Sequence, residues 1–373
     1  MIQRTVQQQI KNKLFSGKAI ILMGARQTGK TTLLHLLFDD EKDVMWLNCD
    51  DMEVQMLFEN VSVEKIQTLF GNYRTLVIDE AQRIRDIGVK LKLITDSLKQ
   101  FQLVATGSSS FELANFINEP LTGRKWEYHI YPFSFQEMAG KNNVFEEKKM
   151  LGHRLIYGSY PEIALDPGNE KDILKQLTDS YLFKDILMWE RIKKPEKLLK
   201  LLQALSFQVG SQVSYNEIGR LCGLDNETVE KYIELLEQTF IIFRLNSFSR
   251  NLRSELKSTR KIYFFDNGIR NALISSFAPL ELRQDIGKLW ENYIVSERKK
   301  YLSNNNIWTN TYFWRTHSQQ EVDYIEETDG RLHAYEFKWN PESKGRITKA
   351  FTTAYPEAET KIIHRDNYDE FLT

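Results

Sequence analysis

Cysteine is almost missing from this chain: Cys49 and Cys222 are the only two in 373 residues. Two cysteines build neither a disulfide framework nor a four-cysteine zinc site. One falls in an expected strand and the other in an expected helix, where a thiol packs as a small apolar side chain. An excess of one charge is missing too. Fifty Lys and Arg face 51 Asp and Glu, for a formal charge of −1, so no global basic field announces a nucleic-acid partner, and any such partner must be met by a local patch. No apolar run approaches the length needed to cross a bilayer. The polar, amphipathic stretch from Met1 to Ser16 lacks the apolar core of a signal peptide. A cytoplasmic protein with no membrane partner is expected. Internal repeats and low-complexity segments are absent. The hydrophobic fraction of 42% and the 22 Phe belong to an ordinary globular chain, long enough for two or three domains with cores of their own.

Through the first third, short apolar runs alternate with helical patterns. Ala19 to Met23, Val44 to Asn48, Leu76 to Ile78 and Gln102 to Thr106 read as strands. Thr32 to Phe38 reads as a helix, and Ile87, Leu91, Ile94 and Leu98 recur at helical spacing. That alternation predicts a parallel sheet covered on both faces. Trp126, Tyr128 and Ile130 alternate with polar residues and suggest one more strand before Pro132.

Between the first strand and its helix stands Gly24-Ala25-Arg26-Gln27-Thr28-Gly29-Lys30-Thr31-Thr32, which fits the phosphate loop G-x-x-x-x-G-K-[ST] in its required strand–helix context. Backbone N–H groups of such a loop and the helix N-terminus hold phosphates. Lys30 would meet the β- and γ-phosphates of ATP, and the Thr31 hydroxyl would ligate magnesium. Leu76-Val-Ile-Asp79-Glu80 is an apolar strand ending in two acids, at the sheet edge where ligands sit. Asp79 is the expected magnesium partner, and Glu80 the base that polarises the attacking water. The hydroxyls of Thr106-Gly-Ser108-Ser109, which follows the next strand, are placed beside the γ-phosphate or the water, with Ser108 the expected contact. Arg124 either neutralises transition-state charge, in cis or from a neighbouring copy in a homo-oligomer, or makes a surface salt bridge.

With these residues in view the chain resembles the AAA-type ATPases of bacteria and archaea that carry a C-terminal domain of formally unknown function. The likeness rests on Gly-Ala-Arg-Gln-Thr-Gly-Lys, Val-Ile-Asp-Glu-Ala-Gln, Thr-Gly-Ser-Ser, Leu-Thr-Gly-Arg, Pro132-Phe-Ser-Phe135 and Lys261-Ile-Tyr-Phe-Phe-Asp266. It departs at Ser159, where a second glycine is usual.

Further on, Asn216 to Cys222, a turn at Gly223-Leu-Asp and a helix from about Glu227 form a helix-turn-helix pattern. Strand-like runs at Phe240 to Leu245 and Lys261 to Phe265 follow, so a winged helix is expected, as the resemblance also implies. Such folds often bind DNA. Glu227, Glu230, Glu234 and Glu237 share one face of the would-be recognition helix, and an acidic face does not sit among phosphates. The next stretch is basic: Arg244, Arg250, Arg253, Lys257, Arg260 and Lys261 against Glu255. Arg250, Arg253 and Lys257 are therefore the expected contacts to DNA or RNA, set against a domain that docks on protein instead.

Near the C-terminus, a helix from Gly287 to Tyr301 carries Glu291, a strand carries Asp323, and the strand after the turn Thr328-Asp-Gly330 carries Glu336-x-Lys338. This order resembles the core of PD-(D/E)XK nucleases, with Val322 in place of the nominal proline. The resemblance implies that Asp323 and Glu336 chelate magnesium, that Lys338 orients or activates water, and that Glu291 completes the metal shell. The expected fold is α/β: a P-loop AAA-type parallel sheet over 1–135, a helical subdomain over 136–195, a winged-helix domain over 196–280 and a restriction-endonuclease-like α/β domain over 281–373. The expected activity is ATP hydrolysis controlling a nuclease-like domain. The alternative is an ATP-driven signalling switch whose C-terminal domain is an inactive protein- or DNA-binding scaffold.

Overall fold

The computed structural model describes residues 2–39, 41–59, 62–107, 121–182, 195–249, 260–316, 318–343 and 345–373. The chain forms two compact units, Gln3–Tyr131 with Gln238–Phe240, and Pro132–Glu237 with Ile241–Thr373. Among the described residues, no helix is long and apolar enough to cross a membrane.

In the first unit, β1 (Ala19–Met23), β2 (Val44–Asn48), β3 (Thr75–Asp79), β4 (Gln102–Gly107) and β5 (Lys125–His129) make one sheet in the order β2-β3-β4-β1-β5. Every neighbouring pair is parallel. All five residues of β1 are buried, as a central strand covered on both faces requires. Leu33, Leu34, Leu37 and Phe38 of the helix Lys30–Phe38 pack on one face with Val6 and Ile10. The order has one consequence for chemistry. β4 lies between β1 and β3, so its C-terminal end stands between the phosphate loop and Asp79.

The second unit opens with helices. Ser134 and Glu137 form a reciprocal capping box at the start of Phe135–Asn142. Ser159 accepts a hydrogen bond at its hydroxyl from the Lys300 ammonium (3.3 Å), a partner that a glycine there would lack. The helices Pro195–Phe207, Tyr215–Cys222 and Asn226–Gln238 follow. Ser214 caps the second of these, while the Asp225 carboxylate accepts from the Thr228 N–H near the start of the third. Val229, Tyr232, Ile233, Leu235 and Leu236 turn inward, which leaves the glutamates of that helix outward.

Strands β6 (Gln212–Val213), β7 (Ile242–Ser247), β8 (Arg260–Phe264), β9 (Asn310–Arg315), β10 (Glu321–Thr328), β11 (Arg331–Lys338) and β12 (Glu359–His364) form one sheet, ordered β12-β11-β10-β9-β7-β8-β6. β7 and β8 pair antiparallel, and β7 and β9 pair parallel with Asn246 against Tyr312. The strands on either side of residue 280, which the sequence suggests belong to separate domains, therefore share one sheet. The long helix Ile286–Asn304 is tied to β8: Asn292 accepts from Phe264 N–H (2.7 Å) and donates to its carbonyl (3.1 Å), and Ser296 donates to the Phe265 carbonyl. β10 and β11 turn tightly at Asp329-Gly330, both at positive φ, with Thr328 paired to Arg331.

Candidate nucleotide site and carboxylate centre

The phosphate loop leaves β1 at Gly24. A Cβ there would overlap the Ile130 carbonyl oxygen, and Ile130 is held by its own N–H to Met23 (2.7 Å). Only glycine allows that approach. Gly29 adopts φ 89° as it enters the helix, a conformation that costs glycine least. Between them the Thr28 hydroxyl donates to the Ala25 carbonyl (2.8 Å). The buried Arg4 guanidinium donates to the Thr28 and Tyr131 carbonyls, tying the loop to the end of β5. Lys30 is 5% exposed and folds over the loop, donating to the carbonyls of Gly24 (3.0 Å) and Ala25 (2.8 Å). Binding a phosphate there would exchange neutral acceptors for charged ones. Thr32 is exposed, and Gln27 takes a positive φ of 58°.

The exposed Thr31 hydroxyl donates to Asp79 Oδ2 (2.8 Å). Thr106, at the end of β4, donates to Asp79 Oδ1 and accepts at the same hydroxyl from the Glu80 N–H (3.1 Å). Glu80 sits at φ 54°, ψ 40°, rarely populated by a residue with a side chain. Its carboxylate accepts from the Gln82 amide (2.5 Å). Thr31, Asp79, Thr106 and Glu80 thus form one hydrogen-bonded chain that joins the start of the helix Lys30–Phe38 to the ends of β3 and β4. A hydroxyl and a carboxylate are hard oxygen donors of the kind magnesium takes, with water completing the shell, so Thr31 and Asp79 fit that ion. Cys49 lies beside this chain with its thiol pushed up to about 12, by burial first and then by Asp79, Asp50 and Glu80. It stays neutral.

Two expectations for this site need correction or fall outside it. Arg124 precedes β5, and its carbonyl accepts from the Ala19 N–H (2.9 Å) at the N-terminal edge of the parallel sheet. The phosphate loop leaves the opposite edge, and five residues of β1 span about 16 Å at the usual strand rise. The Arg124 side chain pairs with Asp96 (2.6 Å). An in-cis role at the phosphates therefore has no geometric basis in this fold. Ser108 lies outside the described residues, as do Arg250, Arg253 and Lys257. The rest of the expected basic wing is spent inside the second unit. Arg244 pairs with Glu237 (2.5 Å), Arg260 with Glu230 (3.2 Å), and Lys261 with Glu291 and Glu321. Glu227 and Glu234 are exposed.

The C-terminal acids gather in the second unit. The register pairing Tyr324 with Tyr335 carries Asp323 opposite Glu336. The register of β10 against β9 shifts between Val322 and Ile325, the stretch that holds Asp323, and such irregularities often lie beside sites. Asp323 accepts from the Phe337 N–H (2.8 Å), and Lys338 donates to Glu336 Oε1 (2.6 Å). Burial, then Glu291 and Glu336, hold the Asp323 carboxyl well above the usual carboxylate range. Burial also raises Glu336, against the pull of Lys338. For Lys338, burial favours the neutral amine but Glu336 outweighs it, so the ammonium is retained.

Glu291 is engaged elsewhere. Its Oε1 accepts from the Lys261 ammonium (2.9 Å) and the Tyr263 hydroxyl (2.7 Å). Among the described residues no group of three His, Cys, Asp or Glu stands ready to hold a metal. Glu336 Oε2, however, is buried and accepts no hydrogen bond, and Asp323 faces like charges. Those are the features of a pair of carboxylates short of a cation. Asp323 and Glu336 fit magnesium as a two-carboxylate site that water and substrate complete, its common mode of binding. The sequence alone assigns no role to Tyr263, Arg4 or Gln82; it sets the Thr106 hydroxyl beside the γ-phosphate or the water and Lys261 in the basic wing, whereas Thr106 holds Asp79 and Lys261 holds Glu291 and Glu321.

Comparison with known proteins bears on these regions separately. Residues 16–139 match a family model described as AAA domain. Residues 148–280 and 286–371 each match a model described as a domain of unknown function. An uncharacterized protein of Methanocaldococcus jannaschii is 25% identical, over 94% of this chain and 82% of its own length. One of Mycobacterium tuberculosis is 23% identical over 90% and 74%. Among solved structures, a Walker-type ATPase of Pyrococcus abyssi superposes with a TM-score of 0.52 at 15% identity, covering 74% of this chain and 96% of that one; at that identity the likeness is one of fold. These matches, together with the parallel sheet and its phosphate loop, support a P-loop ATPase domain of AAA type in residues 16–139.

Proposed function

We propose that this protein binds ATP with magnesium, hydrolyses it, and uses the cycle to control a metal-dependent centre that acts on nucleic acid. The hydrogen-bonded chain Thr31–Asp79–Thr106–Glu80 carries the first part. The loop N–H groups and the helix N-terminus bind the phosphates, and Lys30 leaves its two carbonyls to meet the β- and γ-oxygens. Thr31 and Asp79 would hold magnesium, which would supply positive charge against the phosphates. Thr106 fixes Asp79 and the Glu80 backbone at once. Gln82 aims the Glu80 carboxylate, which takes the proton of the attacking water. Arg124, turned away from its own phosphate loop, can serve only from a second copy.

Lys30→Ala removes the only lysine of the loop. Its affinity for a fluorescent ATP analogue should fall by at least about 100-fold, in keeping with the loss of charge-assisted bonds to phosphate. Near-normal affinity in a titration would remove the assignment.

In the second unit, Asp323, Glu336 and Lys338 carry the reading. Asp323 and Glu336 would hold a divalent cation, which would supply Lewis acidity toward a phosphodiester. Lys338, kept charged by Glu336, orients water or stabilises the developing charge. The helix-turn-helix with strands β6, β7 and β8 is read as a winged helix, with its nucleic-acid contacts at Arg250, Arg253 and Lys257. Replacing those three together should weaken binding to DNA or RNA and flatten its log–log salt dependence by about one for each phosphate no longer neutralised. An unchanged slope would move the binding surface elsewhere.

A second reading is favoured by one observation. The outward face of Asn226–Gln238 is acidic, and two of its glutamates hold the arginines of the following strands. That suits a switch in which the second unit is a scaffold for a partner, without cleavage. Phosphate release unchanged by any nucleic acid, with no cleavage in any metal, would favour the switch.

A further inference from the structure

Glu291 and Glu336 both act on Asp323, and Glu291 is already occupied. Lys261 is 1% exposed and sits on β8, far in sequence from the Glu-x-Lys hairpin. Its ammonium reaches Glu291 Oε1 (2.9 Å) and Glu321 Oε1 (2.6 Å) together. Burial favours the neutral amine, but Glu291, Asp323 and Glu321 outweigh it and hold the charge. Glu336 and Lys338 also stand within reach of this cluster, and Arg315 pairs with Glu321 (3.1 Å). Tyr263 donates its hydroxyl to the oxygen that Lys261 holds. A Cβ on Gly210 would stand 3.3 Å from the Glu291 carboxylate, so the turn before β6 closes over that side chain. Asn292, one residue on from Glu291, bonds the Phe264 backbone, which fixes the helix and β8 in register. The Lys261 contact is thus built into the join between β8 and the helix Ile286–Asn304.

We infer that Lys261 is a resident competitor for the metal: its ammonium holds Glu291 out of the coordination shell, so that a divalent cation gains this third carboxylate only by displacing an internal cation. The inference rests on the reading of Asp323 and Glu336 as metal ligands. In this state the centre is a weak two-carboxylate site. Its affinity rises when Glu291 is released, since affinity for hard cations follows the number of charged ligands. β8 belongs to the strands expected to form the wing, so the wing and the centre are chemically one device.

The test compares two variants of equal charge in the full-length protein. Each removes Lys261 with one of its two carboxylates, so the net charge of the cluster is the same in both variants and in the parent. In Lys261→Gln/Glu321→Gln the released acid is Glu291; in Lys261→Gln/Glu291→Gln it is gone. All proteins carry Asp79→Asn to silence the nucleotide-site metal, and binding of Mn2+ is followed by electron paramagnetic resonance without nucleotide. Lys261→Gln/Glu321→Gln should bind Mn2+ about tenfold more tightly than the parent, on the gain of one charged ligand. Lys261→Gln/Glu291→Gln should show no such gain. Equal affinities in the two variants, or no Mn2+ bound by any protein, would overturn the inference. Circular dichroism melting of each protein identifies a variant that has not folded. In that event Lys261→Arg decides, since it keeps the internal cation: parent-like Mn2+ affinity supports the competitor, and a tenfold gain overturns it. The readout is binding, so an absence of nucleic-acid cleavage sinks the nuclease reading and leaves this one standing.

Discussion

Glu80→Gln is expected to bind ATP as the wild type does and to turn it over about 10²–10⁴-fold more slowly, the usual contribution of a positioned general base. The substitution keeps the shape of the side chain and its contact with Gln82 (2.5 Å). It leaves Asp79 bonded to Thr31 and Thr106, so the magnesium partners and the loop are untouched. What it removes is an oxygen able to take a proton. The left-handed backbone at Glu80, φ 54°, gives this prediction its structural motive, because a conformation that costs free energy persists where the fold holds a side chain in one direction. Steady-state phosphate release beside titration with an ATP analogue separates the outcomes. Wild-type release would show that Glu80 is not the base, and lost binding would make it part of the binding surface.

Asp323→Ala and Lys338→Ala should each lower metal-dependent cleavage of nucleic acid by at least about 100-fold, more than is typical of losing a residue that only orients a ligand. Neither should alter ATP hydrolysis. Asp323 lies opposite Glu336 on neighbouring strands, and removing it takes away one of two carboxylates and the acceptor of the Phe337 N–H. Removing Lys338 strips Glu336 of the ammonium that donates to its Oε1. Chelation of the metal should reproduce both losses in the wild-type protein. Cleavage that persists in both variants would place the chemistry elsewhere, and loss of ATP hydrolysis alongside would point to general unfolding.

How much of this is legible in the sequence depends on how local the determinant is. The phosphate loop is contiguous, and a strand, a Gly-rich turn and a helix suffice to interpret it. Asp79 and Glu80 are readable for the same reason. Thr106 falls in a motif whose hydroxyls the sequence offers to the γ-phosphate or the water, but its hold on Asp79 and the Glu80 N–H follows from β4 lying between β1 and β3, which is a matter of strand order. Arg4 carries no motif signal at all, and it reaches the loop only once the chain has folded. Arg124 is left open between the phosphates and a surface salt bridge for a related reason: a run of residues does not say at which edge of a parallel sheet it ends, and the structure shows the pair with Asp96. The basic wing is overcounted, since Arg244, Arg260 and Lys261 lie close in sequence to residues expected to meet phosphate but spend their charge on Glu237, Glu230 and Glu291. Asp323, Glu336 and Lys338 can be found because a hairpin register is local. The ties from Lys261 and Tyr263 to Glu291, across about 30 residues, are not.

The central claim, that ATP turnover governs a metal-dependent nucleic-acid centre in the same chain, is tested most directly by one comparison. Wild-type protein is incubated with supercoiled plasmid and with single- and double-stranded oligonucleotides, in magnesium or manganese, with ATP, with a non-hydrolysable analogue and with no nucleotide. The account predicts cleavage that needs the metal and whose rate differs between ATP and the analogue. Cleavage at one rate whatever the nucleotide would contradict the coupling. No cleavage under any of these conditions would contradict the centre itself and leave an ATP-driven scaffold.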